Sequence, residues 1–382
     1  MKIALVSPYD FAYPSGVGNH ISCLEQQFSR LGHEVKIIAP ASKAIYTLGD
    51  RFIRIGTPRP IPVSGSIARI TLSLWLDHKI EEVFDREKFD ICHLHEPLMP
   101  MLCTSILRIK KAPMVGTFHA SGGRPWYIMF TPIGKWYLNR WFRKLDARIT
   151  VSQVALDYVS KYFPADYKII PNGVNTQHFH EKITSFENYN DGKTNIVFVG
   201  RLEKRKGFEY LLEAYRLLKP KVPNCRLIQV GPGVQLLKGY KKYIAQYGIP
   251  DVSFTGYASY VNLAKYYATA DIVCFPNTGR ESQGIVLLEA MATGKPIVAS
   301  AIGGFLSVFS DGVEGIAVPP KDPAKIAEGI LKLIKDKQLR QQMGKQGIQK
   351  AKQYDWTIIA SKILDVYKSV LKNYKKSETK SS

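Results

Sequence analysis

A strand, a polar loop, an amphipathic helix and a second strand fill the start of this chain, and the same series begins again at residue 195. "KIALVS" reads as a strand and "PYDFAYPSG" as a turn-rich loop. Val17, Ile21, Leu24, Phe28 and Leu31 then recur at helical spacing, which makes one apolar face. Gly32 is placed to end that helix in the left-handed conformation, ahead of a strand in "EVKIIAP". This is a βαβ unit, whose parallel strands are buried on both faces. "FDICHLHEP", "APMVGTFHA" and "ARITVS" add further strands, each with its loop. The polar stretch "NTQHFHEKITSFENYNDGKTN" (175–195) has no apolar period, so the domain boundary falls there, giving domains 1–174 and 175–355. "NIVFVG", the basic loop "RLEKRKG", a helix face of Phe208, Leu211, Leu212, Tyr215 and Leu218, and "RLIQVG" then repeat the opening. "VSFTGY", "ADIVCFP", "KPIVAS" and "GIAVPP" continue the series. The expected fold class is α/β: two domains with parallel sheets, facing each other across a cleft at the carboxyl ends of the strands, where such folds bind ligands. Ile359, Ile363, Val366 and Val370 predict a helix over 356–376 that packs back on the first domain, and "NYKKSETKSS" reads as disordered.

With 382 residues and an apolar fraction of 45%, both domains have material for a core. Cys23, Cys92, Cys103, Cys225 and Cys274 are scattered without a C-x-x-C pair, which speaks against a disulfide framework or a cysteine zinc site and fits a reducing cytosol. "MKIALVS" is too short for a signal-peptide core, and no stretch reaches the roughly 18 apolar residues of a membrane span. A formal net charge of +21 asks for an anionic partner: nucleic acid, a phosphorylated metabolite or an acidic membrane surface.

The chemistry concentrates in "RESQGIVLLEAMATGKPIVAS" (280–300), with Glu281 and Glu289 eight positions apart. Glu281 precedes an apolar helix and Ser282 reads as its N-cap. The N–H groups of Gln283, Gly284 and Ile285 would then attract an anion. Glu289 lies two turns on, in a mostly buried stretch where a carboxylate needs a partner. A ribose hydroxyl pair would serve; by spacing alone, so would a neighbouring backbone group.

"ESQGIVLLEAMATGKPIVAS" resembles the E-x7-E signature of the retaining family 4 glycosyltransferases. Other marks of that family follow its order along nearly the whole chain: "PSGVGNH" (14–20), "GTFHA" (116–120), "IIPNGV" (169–174) and "GRLEKRKG" (200–207). Within it, "SPYDFAYPSGVGNHI", "HEVKIIAPAS", "GSIARI", "HLHEP" and "GTFHAS" are most similar to the phosphatidylinositol mannosyltransferases. The resemblance implies the GT-B fold, with an acceptor-binding first domain and a donor-binding second. It implies that Glu281 meets the transferred sugar, Glu289 holds the nucleotide ribose, and Arg201 and Lys206 meet the diphosphate together with Ser282 and the 283–285 backbone. Gly16 would let the first loop approach the phosphates; Ser15 stands where relatives often have a second glycine. His119 would contact the sugar, and Tyr9 and Arg69 the inositol phosphate.

These roles give a retaining enzyme that moves mannose from GDP-mannose to phosphatidylinositol on the cytoplasmic membrane face, with no metal or other cofactor. Around "GYASYVNL" (256–263), Tyr260 and Leu263 stand where guanine-reading members carry Asp and Lys, which keeps a UDP-sugar with a diacylglycerol or polysaccharide acceptor open. A GT-B nucleotide-sugar epimerase is a further alternative. Nucleic acid is not an expected partner, because it would leave these motifs idle. His93 and His95 share a strand face, but no third metal ligand follows at a useful spacing. "GKWYLNRWFRKLDAR" (134–148) interleaves Lys135, Arg140, Arg143, Lys144 and Arg148 with Trp136, Tyr137, Trp141 and Phe142. It reads either as an amphipathic helix burying its aromatics or as an interfacial helix on an anionic membrane surface.

Overall fold

The computed structural model describes residues 1–63, 66–73, 75–122 and 131–381, with the side chains of 62–63, 66–67, 131–133, 135, 234 and 377–381 outside that description. The chain divides into two units, Met1–Asn172 with Trp356–Ser382, and Gly173–Asp355.

In the first unit β1 (Lys2–Val6), β2 (Glu34–Ala39) and β3 (Phe52–Arg54) precede a hairpin of β4 (Pro58–Val63) and β5 (Ser66–Thr71). There follow β6 (Ile91–His95), β7 (Met114–Phe118), β8 (Ala147–Thr150) and β9 (Lys168–Ile169). The main sheet runs in the order β3-β2-β1-β6-β7-β8-β9, and every pair in it is parallel. The second unit has β10 (Thr194–Val199), β11 (Cys225–Val230), β12 (Val252–Phe254), β13 (Ile272–Phe275), β14 (Ile297–Ser300) and β15 (Gly315–Val318). Their order is β12-β11-β10-β13-β14-β15, again all parallel. Leaving the hairpin aside, both sheets follow the doubly wound order in which the first strand and its later neighbour diverge, opening a crevice at their carboxyl ends.

Each sheet is buried on both faces, which is why its strands read as unbroken apolar runs. Ala4 and Val6 enter one core layer of the first unit while Ile3 and Leu5 enter the other. Val197 and Val199 divide from Ile196 and Phe198 in the same way in the second. The helix Gly16–Arg30 buries Ile21, Leu24 and Phe28, and Gly32 follows at φ +79 as expected. Leu31 is 57% exposed, because the helix has ended before it can join that face.

The C-terminal helix, Trp356–Ser381, belongs to the first unit. Trp356, Ile359, Ile363, Tyr367 and Val370 pack with Ile3, Leu5, Val115 and Ile149 over one face of the main sheet. The helix continues to Ser381, through the lysine-rich end that the sequence reads as disordered.

Candidate active site

In the second unit the strand order reverses between β10 and β13, and the segments leaving those strands carry the charged groups. Gly207 ties them together. It sits at φ +69, and a Cβ on it would lie 2.0 Å from the Pro276 carbonyl oxygen, so only glycine fits. The Thr278 N–H donates to the Arg205 carbonyl at 2.9 Å. This contact brings three donors onto one oxygen of Glu281: Lys206 Nζ at 2.6 Å, Arg205 Nη1 at 2.5 Å and Asn277 Nδ2 at 2.9 Å. Burial pushes the Glu281 carboxyl up, but the Lys206 and Arg205 charges outweigh it and hold the group below the usual glutamate value. Gly304 supports the arrangement from behind, since a Cβ there would meet the Glu281 carbonyl oxygen at 2.0 Å.

Of the two cations expected in the diphosphate loop, Lys206 is part of this cluster. Arg201 is not; its side chain is 56% exposed and pairs with Glu203 at 3.2 Å. Arg205, passed over in the sequence, joins Lys206 on Glu281, and the signal for it was the Lys204-Arg205-Lys206 run itself. Ser282 is not the helix cap. The helix runs Ile285–Ala292 and Gly284 holds the cap position at φ +83, where a Cβ would strike Phe305 Cδ1 at 2.6 Å. Close packing of Phe305 therefore starts the helix later than capping chemistry suggested, and its first turn begins at Ile285 rather than spanning the backbone of 283–285. Gln283 is buried ahead of it.

Glu289 is buried inside that helix and accepts a hydrogen bond from the Tyr267 hydroxyl at 2.8 Å. Burial pushes its carboxyl up to about 7, and the Tyr267 bond only partly opposes the rise. The two glutamates therefore differ in state. Glu281 is an ionised, paired group, and Glu289 stands near half-protonation at neutral pH. In the helix Tyr260–Thr269, Tyr260 stacks on His178 with ring centroids 3.8 Å apart, and Leu263 packs against the core.

In the first unit the reversal lies between β1 and β6. Ser15 caps the following helix by accepting from the Gly18 N–H at 3.0 Å, while Gly16 has open space around its Cα. Serine in place of a glycine thus gives this loop a cap. Tyr9 bridges Ile70, and the Asp10 N–H donates to the Arg69 carbonyl at 2.8 Å, so the first loop is fixed to β5. The Arg69 guanidinium lies over the Tyr13 ring, 3.8 Å from its centroid, a partner the sequence did not suggest.

His119 follows β7, and its Nε2 bonds His95 Nδ1 at 3.0 Å. The His20 ring is edge-on to both, at 4.9 Å from His119 and 5.1 Å from His95, and its Nδ1 bonds Asn172 Oδ1 at 2.8 Å. Burial drives His20 down to about 4 and holds His95 and His119 well below the usual histidine value, so these rings are neutral. Half-buried Glu96 accepts the N–H groups of His119 and Ala120 at 2.7 and 2.8 Å. His93 is fully occupied by Tyr367 and Thr117, each at 2.6 Å, and is structural. The gathering of His20, His95 and His119 comes from three separate segments, which local spacing does not display.

The helix Thr131–Phe142 divides its aromatics. Trp136 and Tyr137 are 71% and 48% exposed, whereas Trp141 and Phe142 are both 4% exposed and lie in the core. Arg140 and Arg143 are exposed, while Lys144 donates to the Arg108 carbonyl and half-buried Arg148 lies over the Phe142 ring. The Lys135 side chain lies outside the described residues. Among the described residues no helix is long and apolar enough to cross a membrane.

Solved glycosyltransferases share this architecture. A glycosyltransferase from Rickettsia africae superimposes with a TM-score of 0.81 at 19% identity, over 97% of this chain and 99% of that one. Anabaena HepE in complex with UDP and glucose gives 0.76 at 19% identity, over 97% and 100%. The fold is GT-B. The family descriptions "Glycosyltransferase Family 4" and "Glycosyl transferases group 1" match residues 14–178 and 179–350, so the chain is a glycosyltransferase. A phosphatidyl-myo-inositol mannosyltransferase of Mycobacterium tuberculosis is 34% identical to it over 376 residues, 97% of each chain. The chain belongs to family 4 of the glycosyltransferases, alongside these phosphatidyl-myo-inositol mannosyltransferases.

Proposed function

We propose that the protein transfers mannose, with retention of configuration, from GDP-mannose to phosphatidylinositol at the cytoplasmic membrane surface. The observation that carries this reading is the paired Glu281 cluster, set in a chain that matches the inositol-lipid mannosyltransferases over nearly its whole length. As the sugar's anomeric carbon leaves the diphosphate, negative charge builds on the departing oxygens. Lys206, Arg205 and Arg201 can stabilise it without a metal. The acceptor hydroxyl forms the new bond on the same face, and its proton passes to a diphosphate oxygen. Glu281, held ionised, would accept sugar hydroxyls, with neutral His119 as a second contact, and Glu289 with Tyr267 would receive the ribose. Tyr9, Arg69 and Tyr13 would bind the inositol phosphate. Trp136, Tyr137, Arg140 and Arg143 would rest on anionic lipid.

A second reading, a UDP-sugar donor, draws on the uncharged Tyr260 and Leu263 and on the UDP bound by Anabaena HepE. The test is turnover of labelled GDP-mannose and UDP-hexoses on vesicles with and without phosphatidylinositol. Label entering lipid only from GDP-mannose and only with phosphatidylinositol is the expected result. Transfer from UDP-sugars alone would replace it with the second reading. Arg69→Ala should raise the KM for the lipid several-fold and leave donor binding unchanged. An effect on the donor alone would move Arg69 out of the acceptor site.

A further inference from the structure

The hydrogen bonds around His20, His95 and His119 assign their tautomers. Asn172 Oδ1 is an acceptor, so His20 carries its proton on Nδ1 and keeps a lone pair on Nε2. His95 Nε2 is buried, and among the described residues neither it nor His20 Nε2 has a hydrogen-bond partner. A buried orphan N–H costs more than a buried bare acceptor. His95 therefore places its proton on Nδ1 and donates to His119 Nε2. All three rings end with the same atom, Nε2, as a base.

His20 and His95 are 1% and 0% exposed, so a sugar ring does not reach their idle nitrogens, and a ligand there has to be as small as an ion. One ring nitrogen of each residue lies within 4.8 Å of the other two, and the His95 nitrogen that faces His119 is Nδ1. Around a tetrahedral zinc ion with Zn–N of about 2.0 Å, ligand nitrogens stand roughly 3.3 Å apart, a contraction that side-chain rotation can supply. The Asn172–His20 bond is the outer-shell contact that orients a ligating imidazole. The topology makes the convergence possible, since β1, β6 and β7 are neighbours and each sends one histidine to the same edge. We propose that His20, His95 and His119 form a binding site for a divalent transition-metal ion of the zinc class, ligated through one nitrogen of each ring, with a fourth position for water. Binding exchanges the His95–His119 hydrogen bond for metal ligation. If His119 also contacts the sugar, as under the function proposed above, the ion is an inhibitor rather than a catalyst.

The test uses the full chain without an affinity tag, stripped by chelator and titrated with Zn2+ and with Co2+. One ion per chain and the visible absorption bands of tetrahedral Co2+ are expected. His20→Gln and His95→Gln should each abolish the bands, Asn172→Ala should weaken binding about 10–100-fold, and exposed His78→Gln should change nothing. Absence of the bands in the wild type overturns the site. So does binding that His20→Gln and His95→Gln leave as tight as His78→Gln. Should the histidine variants not fold, the wild-type spectrum and Asn172→Ala decide. Zn2+ should also stop sugar transfer, reversibly by EDTA. Stoichiometric binding without inhibition would support the metal site and count against a sugar contact by His119.

Discussion

Both units place their key groups where the strand order reverses, yet they fill that place with opposite electrostatics. In the second unit a carboxylate is surrounded by Lys206, Arg205 and Asn277, and charge is retained by pairing. In the first, the imidazoles of His20, His95 and His119 are neutral, and Glu96 beside them is bonded to backbone N–H groups. One topology carries a paired, charged cluster in one unit and a neutral one in the other. The side chains at the strand ends make the difference, since the sheets are alike.

The sharpest way to break this contrast is to remove charge from the second unit. Lys206→Ala should lower kcat/KM by about 10²–10³, the range for losing a preorganised donor. Arg201→Ala should cost less, because Arg201 stands exposed against Glu203. Equal losses in single-turnover assays would mean that the loop closes Arg201 onto the substrate. Next, Glu281→Gln should reduce turnover by about 10² while nucleotide affinity, read by calorimetry, stays nearly intact. A matching loss of affinity would make Glu281 a ground-state contact.

Glu289→Gln should weaken nucleotide binding by roughly 10-fold, the worth of one hydrogen bond. It also tests the buried state. A folded-state value raised from 4.5 to about 7 means that the folded protein holds a proton which the unfolded chain has released. Wild-type stability should therefore fall as pH rises across that window, and Glu289→Gln should not share the fall. Parallel melting temperatures from pH 4.5 to 7.5 would show that Glu289 is not a buried acid.

A separate effect is expected at the membrane. Arg140→Glu with Arg143→Glu should weaken sedimentation with anionic vesicles by about 2 kcal/mol or more, at about 1 kcal/mol per cation, and high salt should abolish it. Undiminished binding by the folded double variant would move the contact to another surface.

The βα alternation, the helix faces and Gly32 were legible because period and φ > 0 chemistry act over a few residues. The hairpin was not, since Pro58, Pro60 and Pro62 argue against a strand. They fall at alternate positions, leaving Arg59 and Ile61 between them. At the site, Glu281 and Lys206, which pair with each other, both stand in stretches singled out by the family resemblance rather than by spacing alone. Arg205, Tyr13 and the meeting of His20 with His95 and His119 depend on which loops the sheets bring together. Trp141 and Phe142 looked like their exposed neighbours because alternation between cations and aromatics does not say which ring faces the core.

The return of the last helix to the first unit has a consequence for synthesis. The sheet face formed by Ile3, Leu5, Val115 and Ile149 is covered partly by Ile359, Ile363 and Tyr367, which leave the ribosome after the whole second unit. At about 5–20 residues per second, the 183 residues from Gly173 to Asp355 take on the order of ten to forty seconds. During that interval the first half of the nascent chain carries an open apolar face, while the second half can finish its own core. The half made first is completed last, and a premature stop near residue 356 would leave it, not its successor, for the chaperones.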